Sequence, residues 1–189
     1  MNMTAKWISE TIHYDGSQLK PLFAYYKWGL LGDSIVAWRG SCEVSFEHMV
    51  DGEDFIAGST IAGSEMIHFI IEVFDRQLAT GVLIQRIFAS IVKDLLVELS
   101  GELDEMSLVR DGDDLYWGDR KLSISVASQS AVSTMVHFAV NVSNSGTPVK
   151  TCSLEDLRVD PEEFAGAAMD ALSLEWTSVL NATRKVRPL

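Results

Sequence analysis

Residues 113–142 constrain the fold more than any other segment, because they predict two neighbouring β-strands that each carry polar side chains on one face. Successive side chains of a strand point to opposite sides, so every second residue shares a face. The first strand would place Lys121, Ser123 and Ser125 on one face. The second would place His137 and Asn141 on one face and its apolar side chains on the other.

If residues 128–134 join the two strands as an antiparallel hairpin, Ser125 is expected near His137 and Lys121 near Asn141. The apolar face would then belong to the core, whereas the polar face would be either solvated or a binding site. His137 could act as an acid–base group or anchor a ligand near neutral pH, or it could be an ordinary core residue. Asn141 could orient Lys121 or a ligand through its carboxamide.

The composition is that of a single globular domain over residues 1–189, with 47% hydrophobic and 22% charged residues. No apolar run approaches the roughly 18 residues that cross a bilayer, so no membrane partner is expected. The first residues lack a signal-peptide core, which predicts a cytoplasmic protein. Cys42 and Cys152 are expected to be free thiols, and no Cys/His spacing predicts a metal site.

The net charge of −12 disfavours nucleic acid as a partner, because an acidic surface repels phosphate backbones. A small-molecule ligand is the expected partner instead. Asp51, Glu53 and Asp54 form an acidic cluster that could bind Mg²⁺ or could be a solvated loop.

The order of elements predicts an α+β domain with a mixed, mainly antiparallel sheet flanked by helices. Asp160 and Pro161 predict the start of a C-terminal helix that ends near Thr183, since Asp caps helices and Pro suits the first turn. Apolar spacing predicts a second helix at 82–99. Further elements are expected as strands at 6–14, 34–39 with a continuation at 42–46, 66–74, 106–110 and 115–117, and as a helix at 17–30.

Three further groups could bind a ligand. His68 and Glu72 share a face of an apolar strand, where a carboxylate needs a partner. That partner is either Arg86 or Lys121 in a salt bridge, or a ligand. Arg86 lies near the start of a helix and could meet an anionic ligand there. Arg39 follows a strand at a predicted loop, a place that often carries binding residues.

The sequence GDDLYWGDRKLS…HFAVNV resembles the catalytic module of the biotin/lipoate protein ligases, whose fold is shared with class II aminoacyl-tRNA synthetases. LEDLRVDPEE is similar to the entry into the terminal helices of that superfamily. Within it, GDSIVAWRGSCEV, MIHFIIEVFD and RKLSISVAS resemble the mostly archaeal family called domain of unknown function 366. The residues that match the ligase motif are Asp113, Asp114, Lys121, Leu122, Ser123, His137 and Asn141.

The resemblance implies a ligase- or acyltransferase-like enzyme, with ATP and Mg²⁺ as cofactors and a homodimer as the assembly. A lysine at the position of Lys121 would contact the carboxylate or α-phosphate of the substrate, with Asp114 and Ser123 beside it, although a surface lysine is the plain alternative. Octanoyltransferases of the superfamily pair this lysine with a cysteine, and the placement of Cys152 is broadly similar.

One region departs from the ligase pattern. Biotin and lipoate ligases hold the acyl-adenylate with a loop rich in glycine and arginine, whereas MVDGEDFIAGSTIAGSEMIHF has scattered glycines, several acids and no arginine. This departure favours the alternative interpretation, a ligand-binding or regulatory module that keeps the fold and lacks adenylation chemistry.

Overall fold

The structure of the chain is a computed structural model that describes residues 3–103 and 107–187. Two sheets, five α-helices and one 3-10 helix (Phe46–His48) make up the regular structure of this part of the chain. The strands are β1 (Thr4–Ile8), β2 (Ser34–Val44), β3 (Ile61–Phe74), β4 (Leu108–Asp111), β5 (Asp114–Trp117), β6 (Arg120–Lys121), β7 (Ser123–Gln129) and β8 (Ser133–Asn141). The helices are α1 (Phe23–Trp28), α2 (Gly52–Ala57), α3 (Leu78–Leu99), α4 (Leu154–Leu157) and α5 (Pro161–Arg184).

The main sheet has the strand order β1-β2-β3-β8-β7, and a small sheet has the order β4-β5-β6. β1 pairs with β2 in parallel, and every other pair of strands is antiparallel. The predicted α+β class with a mixed, mainly antiparallel sheet is therefore confirmed.

The long helices α3 and α5 cover one face of the main sheet, which we call the helix face. Its core is built around four phenylalanine rings: Phe69, Phe88, Phe138 and Phe164. Phe88 of α3 makes edge-to-face contacts with Phe69 and Phe138, at centroid distances of 5.0 and 5.1 Å. Each such pair adds about 0.5–1.5 kcal/mol to the gain from burial, so these contacts help to fix the helices on the sheet.

The start of α5 is where the sequence predicted it. The Asp160 carboxylate accepts hydrogen bonds from the backbone N–H groups of Glu162 and Glu163 at 3.0 and 2.8 Å. Pro161 occupies the first turn, where its missing N–H costs nothing. The predicted helix at 82–99 is also present and begins four residues earlier, as α3.

The opposite face of the sheet, which we call the cleft face, carries a second hydrophobic cluster. Tyr14, from the segment after β1, and Phe23 of α1 pack there against Trp38 and Ile70 of the sheet. The backbone of Tyr14 joins β2 through a bridge to Cys42. The cleft face is thus only partly covered, which leaves room for a binding site.

The predicted register of the hairpin between β7 and β8 is wrong by one residue. Val126 pairs with His137, and Ser125 pairs with Phe138, so Ser125 lies on the helix face rather than beside His137. Ser130 is the cause, because its hydroxyl accepts hydrogen bonds from the N–H groups of Val132 and Ser133 and closes a tight turn. A shift of one residue moves every side chain of a strand to the other face.

Several element boundaries also differ from the expectation. The strand expected at 6–14 ends at Ile8, and the helix expected at 17–30 is only α1. The acidic cluster of Asp51, Glu53 and Asp54, for which a solvated loop was one alternative, lies at the start of α2. The strand expected at 106–110 is β4; Met106 lies outside the described residues. Within residues 3–103 and 107–187, no helix combines the length and the apolar character needed to cross a bilayer.

Gly40 lies at an irregularity of β2, where the pairing with β3 shifts between Gly40 and Cys42. The Ile12 carbonyl lies so close that a Cβ atom at position 40 would overlap it. The same carbonyl accepts the indole N–H of Trp38 at 2.9 Å, so it cannot move without breaking that bond. Gly40 therefore holds the segment after β1 against the sheet.

We predict that Gly40→Ala lowers the free energy of unfolding by about 2–4 kcal/mol, because backbone must shift to accommodate the methyl group. Gly166→Ala is the matched control, since a Cβ atom there meets nothing within 4 Å inside α5. That change is expected to stabilise the protein by about 0.5–1 kcal/mol. Urea denaturation of both variants measures the difference, and equal effects would contradict the role assigned to Gly40.

Candidate functional site

A cleft of about 440 Å³ opens on the cleft face of the main sheet. Its floor is formed by β7 and β8 together with Tyr14. Residues 48–54 and 59–62 form one wall, and the small sheet with residues 147–151 forms the other. Six of the predicted site residues line it: Asp114, Lys121, His137 and Asn141, together with Ser123 and Ser125 of the edge strand β7, whose side chains point to the helix face.

Lys121 lies at the rim of the cleft in an ion pair with Asp114. Its Nζ atom is 2.7 Å from Oδ2 of Asp114, and the hydroxyl of Tyr116 donates to the same oxygen at 3.3 Å. About a quarter of each charged side chain is exposed, at 28% and 26%. An ammonium group has three N–H donors, so the contact with Asp114 leaves capacity for a ligand.

The backbone of Lys121 is held on both sides. Its N–H donates to the carbonyl of Lys150 at 3.0 Å, and its carbonyl accepts from Cys152 at 3.1 Å. The carboxamide of Asn141 donates to the carbonyls of both Lys121 and Cys152, at 3.2 and 3.1 Å. Asn141 is thus a positioning residue for Lys121, one of the two roles that the sequence suggested for it.

His68 and His137 form a buried pair below the cleft. Nδ1 of His68 lies 3.1 Å from Nε2 of His137, and Nε2 of His68 lies 3.3 Å from the carbonyl of Gly40. Burial lowers the pKa of His68 to about 3 and the pKa of His137 well below its ordinary value. Both rings are therefore neutral at physiological pH, which argues against His137 as an acid–base group there.

Tyr14 lies at the floor of the cleft with Trp38 buried beneath it, and the sequence predicted neither position. The rings of Tyr14 and His137 are stacked with centroids 3.7 Å apart and planes 9° apart. Trp38 stacks on His68 at 5.5 Å. The only signal in the sequence was an aromatic residue just before the Asp15-Gly16 turn, because the contact joins positions more than 120 residues apart.

Arg86 is paired with a carboxylate of the protein, outside the cleft lining. Its Nη1 atom lies 2.9 Å from Oδ1 of Asp113. The other oxygen of Asp113 accepts from Gln85 at 2.7 Å and from the hydroxyl of Ser125 at 2.5 Å. This network joins α3 to the edge of the sheet and explains Ser125 and Arg86 as structural residues.

Glu72 has neither of the two predicted salt bridges. Its Oε1 atom accepts from the backbone N–H of Leu22 at 2.7 Å and from the hydroxyl of Ser133 at 2.5 Å. Leu22 has a left-handed conformation with φ 62°. The buried carboxylate therefore ties the start of α1 to the sheet and stabilises an unfavourable backbone conformation.

Two other predicted site residues, Arg39 and Ser123, form hydrogen bonds or ion pairs within the protein. Arg39 pairs with Glu65 at 2.6 Å and shares the helix face with its strand partner Ile67. The Ser123 hydroxyl accepts the N–H of Leu115 at 3.0 Å, which links the two sheets.

Cys152 is fully buried in the core of the helix face. Burial raises the pKa of its thiol to about 11, so it is protonated near neutral pH. The predicted acyltransferase dyad needs a thiolate beside Lys121, and this environment argues against it.

The cleft is acidic. Five carboxylates line it against one lysine, and no arginine is among its described lining residues; the acids are Asp51, Glu53, Asp54, Asp113 and Asp114. Asp51 caps α2 by accepting from the N–H groups of Glu53 and Asp54. In the described part of the chain, no group of three or more potential ligands is placed to hold a metal ion. These residues do not fit a triphosphate, because its charge would be repelled without a compensating cation.

Comparisons with known proteins agree with the sequence resemblance. The family described as Domain of unknown function (DUF366) matches residues 3–187. Uncharacterized protein MJ0805 of Methanocaldococcus jannaschii is 35% identical over 163 residues, which cover 83% of this chain and 72% of that protein. A solved structure of a protein of unknown function from Pyrococcus horikoshi is 37% identical, covers 99% of both chains and has a TM-score of 0.92.

Ligases are similar at the level of fold. Biotin protein ligase from Aquifex aeolicus, solved with biotin and ATP, is 13% identical and has a TM-score of 0.57, covering 90% of this chain and 68% of the ligase. Ta0514 from T. acidophilum, provisionally assigned as a lipoate protein ligase and solved with lipoic acid, is 13% identical with a TM-score of 0.54, covering 92% and 85%. The chain has a biotin/lipoate protein ligase-like fold, and it belongs to the family of domain of unknown function 366.

Proposed function

We propose that this chain binds a small carboxylate or acyl ligand in the cleft, with Lys121 at the anionic end of the ligand. The observation that carries the proposal is the position of Lys121 at the rim, where Asp114 orients its ammonium group and two N–H donors stay available. The cleft volume of about 440 Å³ suits a small organic molecule.

The cleft has the polarity expected for such a ligand. Its floor combines apolar side chains such as Met66 and Ile124 with the ring of Tyr14, which suits an acyl chain. The backbone of Lys121 is fixed by the small sheet, the segment of Cys152 and the carboxamide of Asn141. A preorganised ammonium group loses little conformational freedom when it binds an anion.

The same geometry favours a binding module over an adenylating ligase. A carboxylate brings one negative charge, which Lys121 can neutralise directly, whereas a nucleoside triphosphate brings several into a cleft lined by five carboxylates. Two like charges at 4 Å repel by about 1–4 kcal/mol, depending on the local dielectric, and these costs accumulate. The fold likeness to enzymes solved with biotin or lipoic acid supports the carboxylate part of the proposal.

We predict that Lys121→Met weakens the binding of octanoate about tenfold, since a charge-assisted hydrogen bond at a partly exposed site contributes about 1.4 kcal/mol. Calorimetric titration measures the affinity. The double variant Lys121→Met/Asp114→Asn shows how much of the effect comes from losing the ammonium group and how much from repulsion between the ligand carboxylate and an unpaired Asp114. Lys121→Arg keeps the charge and should retain most of the affinity.

Lys150→Met is the matched control, because Lys150 forms a more exposed ion pair with Asp119 and does not line the cleft. It should bind octanoate like the wild type. The proposal is wrong if Lys121→Met and Lys150→Met have the same affinity, or if the wild type shows no saturable binding of octanoate, biotin or lipoate.

We further predict that ATP with Mg²⁺ does not raise the melting temperature beyond the effect of salt at equal ionic strength. A ligand present at 100 times its dissociation constant stabilises a protein by about 2.7 kcal/mol, which is a shift of several degrees. Thermal unfolding with and without nucleotide measures this. A clear shift that disappears in Lys121→Met would instead support an adenylating ligase.

A further inference from the structure

The direction of the hydrogen bonds under the cleft follows from one backbone group. The carbonyl oxygen of Gly40 can only accept a hydrogen bond. Nε2 of His68 must therefore be protonated and donate to that oxygen. A neutral imidazole has one N–H group, and Nδ1 of His68 is therefore an acceptor. Nε2 of His137, 3.1 Å away, must donate to it. This leaves Nδ1 of His137 with a free lone pair.

Two polar atoms of the floor have no partner in the described part of the chain. Neither Nδ1 of His137 nor the hydroxyl of Tyr14 forms a hydrogen bond with a described protein group. The two residues are almost fully buried, at 3% and 2% exposure, and both line the cleft. No fully buried side-chain nitrogen or oxygen is unpaired among the described residues, so these two atoms must reach the cleft surface.

Because both atoms reach the cleft surface, water or a ligand that enters the cleft can supply the hydrogen-bond partner that the protein does not. The stacking of the two rings at 3.7 Å places both atoms within reach of one small group. Lys121, in contrast, belongs to the rim. The floor therefore offers a fixed acceptor and a hydroxyl at a different place from the ammonium group.

We infer that the cleft recognises a neutral polar head group that donates an N–H or O–H to Nδ1 of His137 and exchanges a hydrogen bond with the Tyr14 hydroxyl. The inference rests on the proposed function, because it assigns the other end of the same ligand. The ligand class is a short carboxylic acid whose far end carries an amide, a lactam or a hydroxyl.

Charged head groups fit this floor poorly. A carboxylate would face the lone pair of His137, and only the Tyr14 hydroxyl could donate to it. An ammonium group could donate to Nδ1, but it would lose its hydration among rings that carry no charge: Tyr14, Trp38, His68 and His137. The lowered pKa of both imidazoles keeps the acceptor available through the neutral range.

A series of acids with the same chain length tests the inference. The probes are hexanoate, 6-hydroxyhexanoate, 6-amino-6-oxohexanoate, adipate and 6-aminohexanoate. We expect the hydroxyl and amide probes to bind the wild type about three- to tenfold more tightly than hexanoate, the gain of one or two neutral hydrogen bonds. Adipate and 6-aminohexanoate should bind more weakly than the amide.

Two variants assign the preference to the floor. Tyr14→Phe removes only the hydroxyl and no hydrogen bond within the described residues, so it should fold normally. His137→Phe keeps a ring in the stack but removes the acceptor. Each should reduce the advantage of the amide over hexanoate, and ¹⁵N spectra of the histidine rings should show a shift of Nδ1 of His137 when acetamide, but not acetate, is added.

The outcomes separate this inference from the proposed function. If all five probes bind with equal affinity and Lys121→Met weakens that affinity, the head-group inference is overturned and the proposed function still holds. A head-group preference whose individual affinities are unchanged by Lys121→Met supports the inference and contradicts the role of Lys121. A preference that persists in both Tyr14→Phe and His137→Phe overturns the inference. If no probe binds and the His137 resonance does not shift, both the head-group inference and the proposed function are overturned.

Discussion

The antiparallel pairing of β3 with β8 determines what the cleft can offer a ligand. It places Ile70 opposite His137 and Ala139 opposite His68, so the two imidazoles are diagonal neighbours on one face of the sheet. A shift of β8 by one residue would turn His137 to the helix face, toward Phe69 and Phe88, and would break its contact with His68. The apolar side chains of that face fix the register, and the position of the polar ones follows.

Local chemistry made much of the fold predictable. Asp160 and Pro161 predict the start of α5 because helix capping depends on residues adjacent in sequence. The spacing of apolar side chains predicts α3. Alternation along β3 correctly placed His68 and Glu72 on one face. The predicted register of the hairpin was wrong because the hydroxyl of Ser130 closes the turn. The alternation of polar and apolar residues along the strands does not reveal that hydrogen bond.

The candidate site was harder to predict because its partners lie far apart in the chain. Lys121 and Asn141 are neighbours, as expected, but they meet through a backbone carbonyl. Glu72 is satisfied by an amide and a hydroxyl rather than by a cation. Tyr14 reaches the floor only because the segment after β1 folds back along β2. The sequence gives the net charge of the chain directly, but which charged groups form ion pairs depends on the tertiary structure.

Gly40 illustrates how the backbone can define a recognition surface. Because Gly40 has no side chain, the carbonyl of Ile12 can lie against it. The carbonyl of Gly40 determines which nitrogen of His68 is protonated, and His68 in turn determines which nitrogen of His137 is protonated. The polarity of the cleft floor at His137 is thus determined by a main-chain atom that is two rings away. As long as both imidazoles are present, their tautomers depend on the path of the β2 backbone and not on the identity of the side chain at position 40.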